Sequence, residues 1–258
     1  MKLEDRREAI MELLVEQGSA GLDDLARCFG VSRMTIHRDL DDLEAAGLLR
    51  KVRGGATIEA SSRFESDYRY RQRQAGAEKR LIAAYAARVV EPGMSVLVDD
   101  SSTAQALVPF LADLRPLTVI TNSLAVMSGL AGQPGLSLVS LGGTYSRKFN
   151  GFFGLMAEEA LDRLRADVAL LSSSAIHGLA AFHQDSEVVG VKRRMLRRAT
   201  RAYLMADHGK FGRAALHFVA DLGAFAGVVT GPALAPATAK ALQEGGVALH
   251  MAETEDTA

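Results

Sequence analysis

Leu22-Asp-Asp-Leu-Ala-Arg-Cys-Phe-Gly-Val-Ser-Arg-Met-Thr-Ile-His-Arg-Asp-Leu-Asp-Asp-Leu-Glu-Ala-Ala-Gly-Leu-Leu49 reads as two short helices broken by a tight turn. In the first, Leu22, Leu25, Ala26 and Phe29 recur at three- and four-residue spacing. That is one buried face of a helix over roughly Leu22–Cys28. Gly30 ends it, because glycine enters the left-handed backbone region at little cost. Ser32 is placed to cap the next helix through its side-chain oxygen. Ile36, Leu40 and Leu43 continue the apolar stripe, with Val31 packing just outside the cap. Arg33, Met34, His37 and Arg38 are surplus to that stripe and gather near the start of the second helix. A recognition helix meets base edges and phosphates in the DNA major groove with this end, where its N–H groups are unpaired. The same pattern also fits an ordinary helical hairpin with a solvated charged face.

The flanking residues favour the DNA reading. Gly47-Leu-Leu-Arg-Lys-Val-Arg-Gly-Gly-Ala-Thr-Ile58 ends the helix and has the form of a two-stranded wing, whose Arg50, Lys51 and Arg53 are candidates for phosphate contact. Upstream, Ile10, Leu13 and Leu14 make the apolar face of a support helix. Ser32-Arg-Met-Thr-Ile-His-Arg-Asp-Leu-Asp-Asp-Leu-Glu-Ala-Ala-Gly47, followed by Arg53-Gly-Gly-Ala56, resembles the winged helix-turn-helix of the DeoR family of bacterial transcriptional regulators. The resemblance implies that Arg33, Thr35, His37 and Arg38 face DNA, and the full DNA-facing set read here adds Ser32, Met34 and the wing's Arg50, Lys51 and Arg53. The family usually carries two arginines where this chain has His37 and Arg38. Histidine cannot make the rigid bidentate contact of an arginine, so operator preference does not carry over.

The 258 residues suffice for a small module, expected over 1–57, and a domain with a substantial core, expected over 77–251. Residues 58–76 read as a linker and 252–258 as a polar tail that frays. The absence of a long apolar run argues against a transmembrane span or signal peptide, and the cytoplasm is the natural compartment. The single cysteine, Cys28, excludes an intrachain disulfide framework and is expected to pack. Formal net charge is −1, but whole-chain charge is a poor guide when one face meets DNA. Between Arg50 and Arg80 nine basic residues stand against four acidic ones, an excess that fits either DNA contact or a solvated linker.

From about Glu78 short apolar runs recur: Ser95–Asp99, Leu117–Ile120, Leu136–Ser140, Asp167–Leu171, Ala202–Ala206 and Gly227–Thr230. Helix-like segments separate most of them, which predicts a mainly parallel α/β sheet covered on both faces. Ligands of such sheets gather outside the C-terminal strand ends. Asp99-Asp-Ser-Ser-Thr103, Thr121-Asn-Ser123, Leu141-Gly-Gly-Thr144, Ser172-Ser-Ser-Ala175 and Asp207-His-Gly-Lys-Phe-Gly212 lie there. Ser101, Ser102 and Thr103 have the hydroxyls and N–H groups for a phosphate cradle, and Lys210 the charge to neutralise it. Asp99 or Asp100 would accept from sugar hydroxyls. Ser102 could instead simply cap a helix starting near Thr103.

The same stretches resemble the effector domain of DeoR-type regulators, with Asp207–Gly212 the most distinctive. By that resemblance the domain is related in fold to sugar-phosphate isomerases and CoA transferases. It would sense a phosphorylated sugar-pathway intermediate through Asp99, Asp100, Ser101, Ser102, Thr103, Asn122, Gly142, Gly143, Asp207 and Lys210. The family commonly has glycine where Ser101 stands. Lys192, on a helix whose Val188, Val191 and Met195 face the sheet, would reach a ligand or sit in solvent. His177, His183, Gln184 and Asp185 form a polar cluster, and His183 with Asp185 and His208 lacks a tight metal-ligand spacing. A polar loop or a sugar-hydroxyl contact fits that cluster better than a metal. The whole describes a repressor of a carbohydrate operon, needing no cofactor. It would bind double-stranded operator DNA as a homodimer or homotetramer and be released by a small anionic effector. A sugar-phosphate isomerase-like enzyme using Asp99, Asp100, Asp207 and His208, or a protein-binding winged helix, are the alternatives.

Overall fold

A computed structural model of the chain describes residues 3–46, 48–57 and 68–253. The chain divides into two compact units, Met1–Gln74 and Ala75–Ala258.

The first unit runs α1 (Leu3–Gln17), β1 (Ser19–Gly21), α2 (Leu22–Phe29), α3 (Arg33–Ala45), β2 (Arg50–Val52), β3 (Gly55–Thr57) and α4 (Tyr68–Arg73). Gly30 adopts φ 63° and closes α2, as the turn requires. Ser32 caps α3, its hydroxyl accepting from the Thr35 N–H at 3.1 Å. The core is the stripe read from spacing: Ile10, Leu14, Leu25, Ile36, Leu40 and Leu43, joined by Leu49 and Ala56. The wing is three-stranded rather than two-stranded, because β1 pairs antiparallel with β3 on the far side from β2. Cys28 is exposed rather than packed, since Leu25 carries the buried face of α2 and Cys28 falls off it. Of the expected linker, residues 58–67 lie outside the described residues, while Tyr68–Arg73 is helical.

The second unit runs α5 (Gly76–Ala87), β4 (Ser95–Val98), α6 (Ser102–Gln105), α7 (Val108–Asp113), β5 (Leu117–Thr121), α8 (Leu124–Leu130), β6 (Leu136–Ser140), β7 (Thr144–Ser146) and β8 (Gly151–Phe153). It continues with α9 (Leu155–Asp162), β9 (Ala166–Leu171), β10 (Ala175–His177), β11 (Ala180–His183), α10 (Ser186–Arg198), β12 (Ala199–Ala206), β13 (His217–Asp221), β14 (Gly227–Thr230), α11 (Pro236–Glu244) and β15 (Leu249–Met251). Seven strands form one parallel sheet in the order β15-β14-β12-β9-β4-β5-β6. Alternation divides its side chains: Leu97 and Leu204 enter the core under α9, α10 and α11, while Val96, Val98 and Met205 enter the core under α5 to α8. Both faces are therefore covered, and functional groups are left to the strand ends.

Two smaller sheets decorate this framework, the hairpin β7–β8 and the antiparallel set β10-β11-β13. The polar tail expected from residue 252 is held at its first residue, because Ala252 is buried and its N–H donates to the Thr230 carbonyl at 2.7 Å. Residues 254–258 lie outside the described residues.

Candidate functional site

In the first unit α3 buries Ile36, Leu40 and Leu43 and leaves Arg33, Met34, His37 and Arg38 exposed, with Thr35 half-buried. Met34 is 63% exposed. Arg50 and Arg53 are exposed on the wing, whereas Lys51 is half-buried with its ammonium on the Asp41 carboxylate. That contact first, then a bond from His37, holds the Asp41 carboxyl below the ordinary carboxylate range. Arg33 pairs with Asp23 of α2 at 3.0 Å. Behind this face Asp39, 1% exposed, accepts from Arg6 Nε at 2.6 Å and Arg7 Nε at 3.2 Å, tying α1 to α3.

In the second unit the polar groups converge where the sheet topology puts them. The C-terminal strand ends bring to one edge Asp207–Lys210 after β12, Ser172–Ser174 after β9, Asp99–Thr103 after β4, Asn122 after β5 and Gly142–Gly143 after β6. Asp99, Asp100, Ser101, Ser102, Thr103, Asn122 and Asp207 are all buried. At the centre Lys192 of α10, 2% exposed, donates to Asp99 Oδ2 at 2.6 Å and Asp100 Oδ1 at 3.1 Å. Burial alone would pull this lysine down, but the charges and hydrogen bonds of Asp100 and Asp99 outweigh it and raise its pKa above the ordinary value. Lys192 is thus neither solvated nor at a periphery: it neutralises part of a buried acidic pair.

The two aspartates differ sharply. Asp99 Oδ1 accepts from the Ser101 N–H at 3.0 Å, and Oδ2 accepts from the Ser172 N–H at 2.6 Å as well as from Lys192. Its oxygens are engaged inside the protein, which leaves Asp100 as the one of the two with an oxygen to offer a hydroxyl. Asp100 Oδ2 is buried without a hydrogen-bond partner, as are Asn122 Oδ1, Ser174 Oγ and Thr230 Oγ1. Asn122 is held by its other end, Nδ2 donating to the Phe152 carbonyl at 3.2 Å. The α6 cap is Ser101 rather than Ser102, its Oγ accepting from the Ala104 N–H at 2.9 Å. Gly143 has φ 108°, and a Cβ there would collide with the Phe153 carbonyl oxygen of the β7–β8 hairpin.

On the neighbouring loop Asp207 accepts from the Gly209 N–H at 3.1 Å, and Lys210 is half-buried. His208 lies exposed against Glu78, Nδ1 to Oε2 at 2.6 Å. His183 and Asp185 are spent locally: His183 Nδ1 accepts from the Asp185 N–H at 3.2 Å, and Asp185 caps α10. His177 is exposed. Among the described residues no three His, Cys, Asp or Glu side chains are grouped to hold a metal.

A sequence profile described as "DeoR-like helix-turn-helix domain" matches residues 6–62, and one described as "DeoR C terminal sensor domain" matches residues 74–232. The chain belongs to the DeoR family of transcriptional regulators. It is 30% identical to the HTH-type transcriptional regulator IolR of Bacillus subtilis across 96% of this chain and 98% of that protein. It is 32% identical to the L-fucose operon activator of Haemophilus influenzae, covering 84% of this chain and 87% of that protein. With the glycerol-3-phosphate regulon repressor of Escherichia coli it shares 29% identity over 84% of this chain and 86% of that one. These relatives are regulators rather than enzymes, and so is this DeoR-family chain, with a DNA-binding helix-turn-helix followed by a parallel α/β sensor. Among the described residues no helix is long and apolar enough to cross a membrane.

Several groups escaped the sequence reading of this DeoR-family member. Asp39, Asp41 and Glu44 were not singled out, Ser174 lay in a strand-end loop without being assigned to the ligand set, and Thr230 was read only as the end of a strand. Only Asp39 carried a signal, since its spacing from Ile36 and Leu40 places it on the edge of the buried stripe.

Proposed function

We propose that this regulator represses a carbohydrate-utilisation operon in the cytoplasm and leaves its operator when a phosphorylated sugar or related anionic metabolite enters the second unit. The observation that carries the effector half is the set of buried, unpartnered polar atoms at the sheet edge. Such atoms cost free energy unless something bonds to them. Asp100 Oδ2 and Asn122 Oδ1 only accept, so the group they suit is a hydroxyl of a polyol chain, with Ser174 and Thr230 able to accept or donate. The buried cluster of Asp99, Asp100 and Lys192 keeps one net negative charge and repels a phosphate. The anionic end therefore belongs on the β12 side, toward Asp207 and Lys210. With β9 between β12 and β4, that offset is about 10 Å, the reach of a small sugar phosphate. Ser102, Thr103, Gly142 and Gly143 close the site around the chain, Ser101 by its cap and Asp99 by its internal bonds.

For the DNA half, Arg33, Thr35, His37 and Arg38 read base edges, and Met34 offers an apolar contact for a thymine methyl group. Ser32, Arg50, Lys51 and Arg53 position the unit on phosphates. A homodimer or homotetramer presents paired recognition helices to symmetric half-sites, and the effector favours an arrangement that fits them less well. The name of the glycerol-3-phosphate regulon repressor supports a phosphorylated effector and repression. The name of the fucose operon activator makes the sign of control a separate measurement.

The test is thermal stabilisation of the full chain by a panel of sugar phosphates, polyols and sugar acids, followed by gel shift on its own promoter. A phosphorylated sugar should both raise the melting temperature and release DNA, and Lys210→Ala should weaken the first effect with DNA binding intact. Stabilisation by unphosphorylated compounds alone, or DNA binding indifferent to every stabilising compound, would overturn the reading.

A further inference from the structure

One carboxylate joins the recognition helix to the wing. Asp41 lies one turn along α3 from His37, with Oδ2 at 3.0 Å from His37 Nδ1, while Oδ1 accepts from the Lys51 ammonium on β2. Glu44, on the same helix, accepts the Lys51 backbone N–H at 2.7 Å. Asp41 and Glu44 are both exposed and take no part in the buried stripe of α3. Their bonds instead fix where β2 runs beside the helix, and Lys51 in turn pins the Asp41 carboxylate.

An exposed carboxylate in the unit that carries Arg33, His37, Arg38, Arg50 and Arg53 works against phosphate attraction, so charge alone gives it no use there. Its use lies in the imidazole. A carboxylate only accepts, so the His37 nitrogen facing it carries the hydrogen, and in a neutral ring Nε2 is then left as an acceptor. In the major groove an acceptor matches the exocyclic amine of cytosine or adenine and mismatches the oxygens and N7 of guanine and the O4 of thymine. We propose that Asp41 is a positioning residue for operator reading: pinned by Lys51, it holds His37 in the Nδ1-protonated tautomer, so that Nε2 accepts from a cytosine or adenine amine. The inference rests on the DNA-facing placement of His37.

Duplexes enriched from a random pool by the full chain at pH 8 supply the probe. Gel-shift titration then compares the enriched site with each single-base variant. His37→Ala and Asp41→Ala should relax discrimination at the same base pair, by about five- to tenfold, where the preferred pair places cytosine or adenine. Asp41→Asn, whose oxygen is drawn to the Lys51 ammonium so that its NH2 faces Nδ1, should favour the opposite tautomer and lose the cytosine or adenine preference, and Asp41→Ala should bind non-specific duplex no worse than wild type. Melting temperatures should match, as the side chain is 48% exposed. Wild-type discrimination in Asp41→Ala, relaxation at a different base pair from His37→Ala, or a shared position preferring guanine or thymine would each overturn the assignment. Failure of the pool to yield any enriched site would instead sink the operator-binding reading itself.

Discussion

Each unit of this regulator buries an acidic cluster, and the two are built to opposite ratios. In the first, one carboxylate, Asp39, receives two guanidiniums, and both oxygens are used: Arg6 Nε reaches Oδ2, while Arg7 Nε and Arg6 Nη2 reach Oδ1. The arginine side chains remain 11% and 21% exposed; Arg7 Nη2 donates to the exposed Asp42, and the remaining donors can reach water. In the second, two carboxylates share one ammonium, all three side chains are sealed, and Asp100 Oδ2 is left over. A cluster with surplus donors at the surface is a clamp between helices. One with an unmet acceptor at a sheet edge is, in the function proposed above, arranged around a ligand. Substitutions at matched positions should separate the two kinds.

The largest effect belongs to Lys192→Met, which removes the one cation that, among the described residues, bonds to the buried acidic pair. Breaking a buried ion pair from one side costs about 3–5 kcal/mol, because the remaining charge has no compensation. Urea unfolding of the full chain should show that loss, and a change below about 1 kcal/mol would mean that Lys192 is spectator to the pair. The lysine also gives a pH signature. Its folded pKa is raised, so its stabilisation is complete below the unfolded lysine pKa and disappears as pH rises through the higher folded value. Wild type should therefore lose stability in the strongly alkaline range more steeply than Lys192→Met. Parallel alkaline profiles would remove the linkage.

Asp99→Asn comes next. The amide can keep one accepting oxygen, but its NH2 must then face either the Ser101 N–H or the Ser172 N–H and Lys192. Two donors opposed in a buried site should cost about 2–4 kcal/mol by urea unfolding. Asp39→Asn meets the same opposition in the first unit, yet Arg6 and Arg7 can turn partly to water. About 1–3 kcal/mol is expected, read from the transition of the first unit by hydrogen exchange at α1 and α3. Equal costs for the two substitutions would erase the difference between a sealed cluster and a surface-linked one.

What was legible beforehand follows how far each feature depends on distant partners. The Ser32 cap, the Gly30 turn and the stripe from Leu25 to Leu43 are local, and spacing alone predicts them. The strand-end loops are nearly as legible, since a parallel sheet gathers them at one edge whatever its strand order. The place of Lys192 was not, because its partners lie 92 and 93 positions away and a lysine on an amphipathic helix fits a ligand contact or solvent equally well. Asp39 was hidden likewise behind arginines 32 and 33 positions upstream. The strands β1 and β15 have three residues each, too few for period-two alternation to register. Ser101 and Ser102 are adjacent equivalents in composition, and only the backbone path decides which of them caps α6.

Asp100→Asn should have the smallest effect on stability and the largest consequence for the comparison. It makes the same change as Asp99→Asn, one residue along, and removes the same charge from the same sealed cluster. The amide oxygen can keep the Lys192 contact made by Oδ1, and the NH2 then takes the place of an oxygen that has no protein partner. The cluster also loses its uncompensated negative charge. These terms oppose each other, so unfolding free energy should move by less than about 1 kcal/mol in either direction. The cost appears elsewhere: an acceptor for a ligand hydroxyl becomes a donor, and the melting-temperature rise given by the best stabilising sugar phosphate should largely vanish. A stability loss as large as that of Asp99→Asn would make Asp100 a second structural hub. An unchanged ligand-induced rise would place the ligand away from β4 and leave the leftover oxygen without a role.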